Sequence, residues 1–197
     1  VAAAADSGAD AVKFQTYTAN TLTLKSHEPD FMVEDGLWAG KSLYEIYETG
    51  SLPWDWHLDL FEYARSFNLE IISTPFDISA VDFLLKLGVD RLKIASFELI
   101  DIPLLERVAQ TETPIIVSCG MGNFSEISEA MEILKNNHVT LLHCISNYPA
   151  NPEEANLKFI HDLRTKFEVE IGLSDHCITN SIACASVAMG VRVIEKH

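Results

Sequence analysis

The chain has 197 residues, 48% of them hydrophobic, with a formal charge of 14 − 29 = −15 and a pI near 4.7. That length and apolar fraction exclude a disordered chain, and the acidity argues against nucleic acid or an anionic membrane surface as a partner. No apolar run approaches a membrane span and the amino terminus lacks the basic-then-apolar pattern of a secretory signal, so the expected location is cytoplasmic. Cys119, Cys144, Cys177 and Cys184 show neither CxxC spacing nor a secreted disulfide framework, and reduced thiols are expected.

Residues 1–7 are Ala-rich and stop at Gly8, which reads as the tail of a helix. Apolar segments then predict strands at 11–16 (AVKFQT), 69–74 (LEIIST), 91–96 (RLKIAS), 114–119 (PIIVSC), 139–144 (VTLLHC), 170–174 and 191–195. Amphipathic helices are expected near 55–67, 79–87, 103–110, 125–137, 152–167 and 179–189, with Pro103 and Pro152 suited to first helical turns. Strands alternating with helices predict a parallel sheet covered by helices. Seven such units, with half a unit missing at the front, predict an α/β fold of the (β/α)8 TIM-barrel type. The chain would be one partial domain over residues 1–197, lacking the first strand and the last helix; a complete barrel needs ~250 residues.

One connection, 17–53, breaks this rhythm. It holds Trp38, several tyrosines and a short helical patch at 43–48. Loops of this length inside a compact domain are usually lids or binding loops, the plain alternative being a surface insertion.

The strand ends are more informative together than singly. They present Lys13 and Gln15; Thr74; Lys93, Ser96 and Glu98; Ser118; His143, Ser146 and Tyr148; Ser174 and His176; Glu195 and His197. In a (β/α)8 barrel these ends meet at one mouth. Short hydroxyls with one or two fixed cations suit a phosphate, each charge-assisted bond being worth roughly twice a neutral one. Strand alternation puts Lys93 and Ser96 on opposite faces, so a bend or bulge is needed to bring both to one ligand. His176 and His197 each end a strand, and neighbouring parallel strand ends bring them within reach of one metal ion. The plain alternative is that each imidazole caps its strand and bonds a nearby carbonyl.

The runs KFQTY (13–17), STPFD (73–77), KIASFE (93–98), SCGM (118–121), HCISNYP (143–149), GLSDH (172–176) and IEKH (194–197) resemble, in order and over essentially the whole chain, the sialic acid synthases. These are the phosphoenolpyruvate-dependent nonulosonate synthases. The resemblance implies a barrel followed, in the full-length protein, by a small antifreeze-like domain that lies outside this sequence, and a homodimer. It implies condensation of phosphoenolpyruvate with an open-chain N-acetylated hexose to a nine-carbon 2-keto acid plus phosphate. His176 and His197 would be the ligands of a divalent ion, manganese first, with magnesium or cobalt as further candidates. Thr74, Lys93, Ser96, Ser118, Ser146 and Ser174 would bind phosphoenolpyruvate. Lys13 and Gln15 would meet carboxylate and sugar, Tyr148 the sugar, and Glu98 and Glu195 would handle protons or orient water. Cys119, Cys177 and Ile145 stand where family members often carry threonine. The segments GLWAGKSLYEIYE and PWDWH look most like the pseudaminic acid branch, with N-acetylneuraminate and legionaminate synthases as alternatives. Two other classes stay open: a Schiff-base aldolase using Lys93 or Lys13, and a non-catalytic sugar-binding barrel.

Overall fold

A computed structural model describes residues 1–197. The chain divides into two compact units, Val1–Asp90 and Arg91–His197. Each is built of strand–helix repeats with parallel strand pairing.

In the first unit, α1 (Ala2–Asp6) leads to β1 (Ala11–Thr16), followed after the long connection by α4 (His57–Ser66), β2 (Glu70–Pro75) and α5 (Ile78–Leu87). β1 and β2 pair in parallel from Ala11↔Glu70 to Thr16↔Pro75. Their helices bury Phe61 and Ala64 from α4 and Ala80, Val81 and Leu84 from α5, the i, i+3, i+4 stripe of an amphipathic helix. Asp77 starts α5 by accepting the Ser79 and Ala80 N–H groups, and Gly88, at φ 71°, ends it in the left-handed region. The long connection contains α2 (Ala19–Leu22), a 3-10 turn at Pro29–Phe31 and α3 (Leu43–Gly50). The helical patch expected at 43–48 therefore forms and runs two residues further. Ser42 and Glu45 cap it reciprocally, as the S-x-x-E spacing favours.

The second unit runs β3 (Arg91–Ile94), α6 (Ile102–Ala109), β4 (Ile115–Ser118), α7 (Phe124–Ile133), β5 (Val139–Cys144), α8 (Phe159–Lys166), β6 (Glu170–Asp175), α9 (Ser181–Ala188) and β7 (Ile194–Lys196). Its strands lie in sequence order and every pair is parallel. Every residue of β4 and β5 is buried, as in a parallel sheet covered on both faces. Gly172 lets β6 approach its neighbours: a Cβ there would lie 2.5 Å from Leu142 Cδ2 and 2.6 Å from the Val193 carbonyl oxygen.

Three expected bounds shift for local reasons. β3 stops at Ile94 rather than residue 96, because the chain turns into a 3-10 helix at Phe97–Ile100. The helix expected over 152–167 divides into a 3-10 turn, Pro152–Glu154, and α8, with Asn156 between them at a left-handed φ of 40°. The last strand begins at Ile194 rather than residue 191, since the Val191 N–H is still bonded to the Ser186 carbonyl at the end of α9.

His57 is fully buried, with Nε2 2.8 Å from Thr16 Oγ1 and Nδ1 3.2 Å from the Pro53 carbonyl oxygen. Burial holds its pKa below the ordinary value, outweighing the carbonyl contacts that favour the charged ring. The unfolded chain takes up this proton near about 6.5, and the folded chain only at lower pH. Its contribution is therefore complete above that unfolded value and is lost as pH falls through the folded pKa. The urea midpoint should drop between about pH 7.5 and pH 5.5. His57→Gln should flatten part of that drop; a profile with the same slope as wild type would refute the role.

Candidate active site

β6 and β7 deliver the two histidines. Their register pairs Leu173↔Ile194, Ser174↔Glu195 and Asp175↔Lys196. With a period of two, Ser174, His176, Glu195 and His197 share one face, and Asp175 and Lys196 lie on the other. The His176 and His197 ring centroids are 4.1 Å apart at an interplanar angle of 61°. Nδ1 of His176 lies 2.6 Å from the Ile145 carbonyl oxygen, and Nδ1 of His197 lies 3.4 Å from that of Asp175. With Nδ1–H donating to a carbonyl, each ring keeps its Nε2 lone pair for another partner. Nε2 of His197 is 3.1 Å from Glu195 Oε1, an acceptor that needs an N–H at that nitrogen, so this contact and a free Nε2 lone pair are alternatives. The loop after β5 covers the pair: the Tyr148 ring lies 3.9 Å from that of His176 and 5.9 Å from that of His197. Ala150 N–H donates to the His176 carbonyl at 3.0 Å.

Lys93 anchors a second group of side chains in this unit. Only 2% exposed, its Nζ donates to Ser118 Oγ at 2.7 Å and to the Ile94 carbonyl at 2.9 Å, and stands 4.0 Å from Glu195 Oε2. Ser96 Oγ accepts the Gly120 N–H at 3.1 Å. β3 ends at Ile94, so Ser96 lies in the following turn and is not bound by the strand's alternation. Ser146 packs against Gly120, where an added Cβ would lie 2.5 Å from Ser146 Oγ and 3.0 Å from the Cys144 carbonyl oxygen. Ser174 Oγ donates to Glu195 Oε1 at 3.4 Å. A buried ammonium among short hydroxyls is a site for an anion.

The carboxylates differ in surroundings. Glu98 has one oxygen buried without a hydrogen-bond partner, and burial raises its pKa despite its own backbone N–H and the Lys93 ammonium. Glu195 faces Lys93, the Ser174 hydroxyl and His197 instead. Burial acts to lower the His176 pKa, but Cys144 and the Ile145 carbonyl outweigh it and the net shift is upward. Cys144 Sγ lies 4.0 Å from His176 Nδ1 and 3.8 Å from Ser146 Oγ.

In the first unit, Gln15 and Thr74 are register partners at the ends of β1 and β2, and Lys13 sits two residues before Gln15 on the same face. Sequence reasoning overlooked five contributors. The Ile145 carbonyl has no sequence signal. Gly120 was visible in SCGM, Cys144 in HCIS, and Asp175 and Lys196 as the residues preceding each histidine.

The donor set fits a divalent ion. Both expected ligands are imidazoles whose Nδ1 faces a carbonyl, the outer-sphere arrangement typical of metal-bound histidine. No three His, Cys, Asp or Glu side chains form a cluster able to hold a metal by themselves. An ion held by two imidazoles would keep open positions for water and substrate, as a catalytic ion requires. No helix is long and apolar enough to cross a membrane.

Family comparison is specific: the chain belongs to the NeuB family, whose model matches residues 1–197. It is 42% identical over 195 residues to the pseudaminic acid synthase of Helicobacter pylori, covering 98% of this chain and 57% of that protein. It is 39% identical over 204 residues to the N,N'-diacetyllegionaminic acid synthase of Legionella pneumophila, covering 100% of this chain and 57% of that one. The crystal structure of N-acetylneuraminic acid synthetase from Leptospira borgpetersenii superposes with a TM-score of 0.86 at 35% identity, covering 98% of this chain and 64% of that one. The chain thus spans less than two thirds of the length of these relatives.

Gly120→Ala should cost about 1–3 kcal/mol, because the new methyl group meets backbone at Cys144 as well as the Ser146 hydroxyl. Urea unfolding measures it, and a change under about 0.5 kcal/mol would show that the two strand ends do not meet as closely as described.

Proposed function

We propose that this chain carries the barrel part of a nonulosonate synthase. The enzyme would condense phosphoenolpyruvate with an open-chain N-acetylated hexose, giving a nine-carbon 2-keto acid and phosphate. The observation that carries this reading is the joining of the His176–His197 pair to the Lys93–Ser118 cluster through one carboxylate, Glu195. The relatives' names and the 42% identity support the pseudaminic acid branch, with a 6-deoxy di-N-acetylated hexose as the sugar. Residues 1–197 would form one partial (β/α)8 barrel, with an antifreeze-like domain elsewhere in a cytoplasmic homodimeric protein.

His176 and His197 would hold a divalent ion, manganese first, which supplies Lewis-acid polarisation of the sugar aldehyde. Lys93, Ser96, Ser118, Ser146 and Ser174 would bind the phosphate, and the family resemblance gives Thr74 a role in binding phosphoenolpyruvate as well. Lys13 and Gln15 would hold the carboxylate and sugar, and Tyr148 the sugar. As C3 of phosphoenolpyruvate bonds to the aldehyde carbon, Glu98 is the carboxyl suited to give a proton, since burial keeps it protonated to higher pH than usual. Glu195, facing a lysine and a histidine, is suited to orient the water that adds at C2. The tetrahedral adduct then expels phosphate, whose charge stays beside the Lys93 ammonium. The contacts of Lys93 Nζ with a hydroxyl, a carbonyl and a carboxylate favour the ammonium form, which argues against a Schiff-base nucleophile at this position.

Phosphate release by the full-length protein from phosphoenolpyruvate and manganese tests the reading, with the 6-deoxy di-N-acetyl hexose and N-acetylmannosamine in parallel. Release should occur with the first sugar and fall at least about a hundredfold in His176→Ala, since metal polarisation contributes several kcal/mol. A folded protein that releases phosphate with neither sugar would overturn it. In the same assay Lys93→Met should lower kcat/KM for phosphoenolpyruvate by about 100-fold or more, the loss of a buried charge-assisted contact. A Lys93→Met enzyme with unchanged kcat/KM would remove the lysine from the anion site.

A further inference from the structure

Neither the sequence motifs nor the reaction assigns a role to Asp175 and Lys196, the residues that immediately precede the two histidines. They are register partners on β6 and β7, and their side chains lie on the face opposite His176 and His197. The pair is asymmetric in exposure: the Asp175 side chain is 1% exposed and that of Lys196 34%. Lys196 Nζ donates to Asp175 Oδ2 at 2.9 Å, to the Thr179 carbonyl at 3.2 Å, and to the Cys177 carbonyl. All three acceptors lie within three residues of His176, one before it and two after. Asp175 returns the hold: its carbonyl oxygen accepts the His197 N–H at 3.3 Å and faces that residue's Nδ1 at 3.4 Å. Its Oδ1 accepts the Cys177 N–H at 2.9 Å, fixing the backbone on the far side of His176.

We propose that Asp175 and Lys196 are a positioning pair that fixes the mutual geometry of the two imidazoles and so sets the affinity and coordination geometry of the ion they bind. The proposal rests on the two-histidine metal reading given above. Lys196 is the last residue of β7 and Asp175 the last of β6, so the bond from the His197 N–H to the Asp175 carbonyl is the last rung between the two strands. The ion pair reinforces that rung at the point where the pairing would fray. Being neutral as a unit, it adds no net charge to repel a cation. Fixing register is the best-attested use of a buried ionic pair, and outer-sphere partners that orient metal ligands change metal affinity about 10- to 100-fold when removed.

The full-length protein is titrated with manganese(II), followed by its EPR signal, and loaded with cobalt(II), whose visible absorption reports ligand number and geometry. Lys196→Met should weaken manganese binding about 10- to 100-fold and alter the cobalt spectrum. Lys196→Arg, which keeps charge and donors, should recover most of the affinity. Asp175→Asn should shift both readouts in the same direction, and the double variant should bind no worse than Lys196→Met, as expected of residues acting as one unit. A Lys196→Met protein with a lower urea midpoint but unchanged manganese affinity and cobalt spectrum would make the pair structural only and overturn the proposal. Should Lys196→Met not fold, the same two readouts on Asp175→Asn decide the matter. Failure of the underlying reading looks different: wild type would bind neither ion, or His176→Ala would bind as wild type does, before the pair is altered at all.

Discussion

The parallel pairing of β6 with β7 is the constraint on which the rest depends. Side chains alternate with a period of two, so a one-residue slip would turn one histidine to the opposite face and separate the pair. Register here is set by contacts that differ at each step: Leu173 with Ile194 is apolar, Ser174 with Glu195 a hydrogen bond, and Asp175 with Lys196 an ion pair. No shifted alignment satisfies all three. Gly172 contributes by omission, since any side chain there would press on the Val193 carbonyl and Leu142. Specificity of alignment thus becomes specificity of imidazole placement.

Electrostatics join the two halves of the site. Glu195 uses one oxygen for the Ser174 hydroxyl and His197 and turns the other toward Lys93. Moving a charge on either side therefore changes what the other side feels, and in a buried setting that coupling is stronger than water would allow. Lys93 cannot be left alone at 2% exposure, and its hydroxyl, carbonyl and carboxylate neighbours meet that requirement before any substrate arrives. An entering phosphate dianion would find a cation already oriented, with little reorganisation left to perform.

What was legible in the sequence follows from which groups leave a trace there. Apolar runs ending in polar residues marked the strands and their carboxyl ends, so His176 and His197 were found because two separate strands each terminate in histidine. The S-x-x-E spacing at Ser42 marked the helix in the long connection. Backbone partners leave no trace: the Ile145 carbonyl that orients His176 belongs to a residue whose identity says nothing of that role. The division of the 152–167 segment was missed because Asn156 enters a left-handed conformation that asparagine tolerates without requiring it. Lys93 and Ser96 looked incompatible on strand alternation because the sequence did not show that the strand stops at Ile94, before Ser96. The charges of Asp175 and Lys196 were in plain view, but their meaning depends on a register that the sequence does not state.

Departures from local rules in the second unit are unevenly spread. Two of its four helix starts follow local rules: Asp101 caps α6 and Asn123 caps α7 with a reciprocal Glu126 bond. Asn137 Oδ1, buried without a hydrogen-bond partner, and Asn156, at a left-handed φ of 40°, are scattered exceptions, while three others gather at the ends of β3 and β4. Glu98 buries an oxygen with no hydrogen-bond partner, Lys93 is a buried cation, and Met121 takes a φ of 96°. Each costs stability that an apolar or relaxed alternative would not, and such features persist where function requires them. Their place on the strand ends that also carry the Ser96 and Ser118 hydroxyls is a physical argument for a site there, drawn from the energetics of this chain alone.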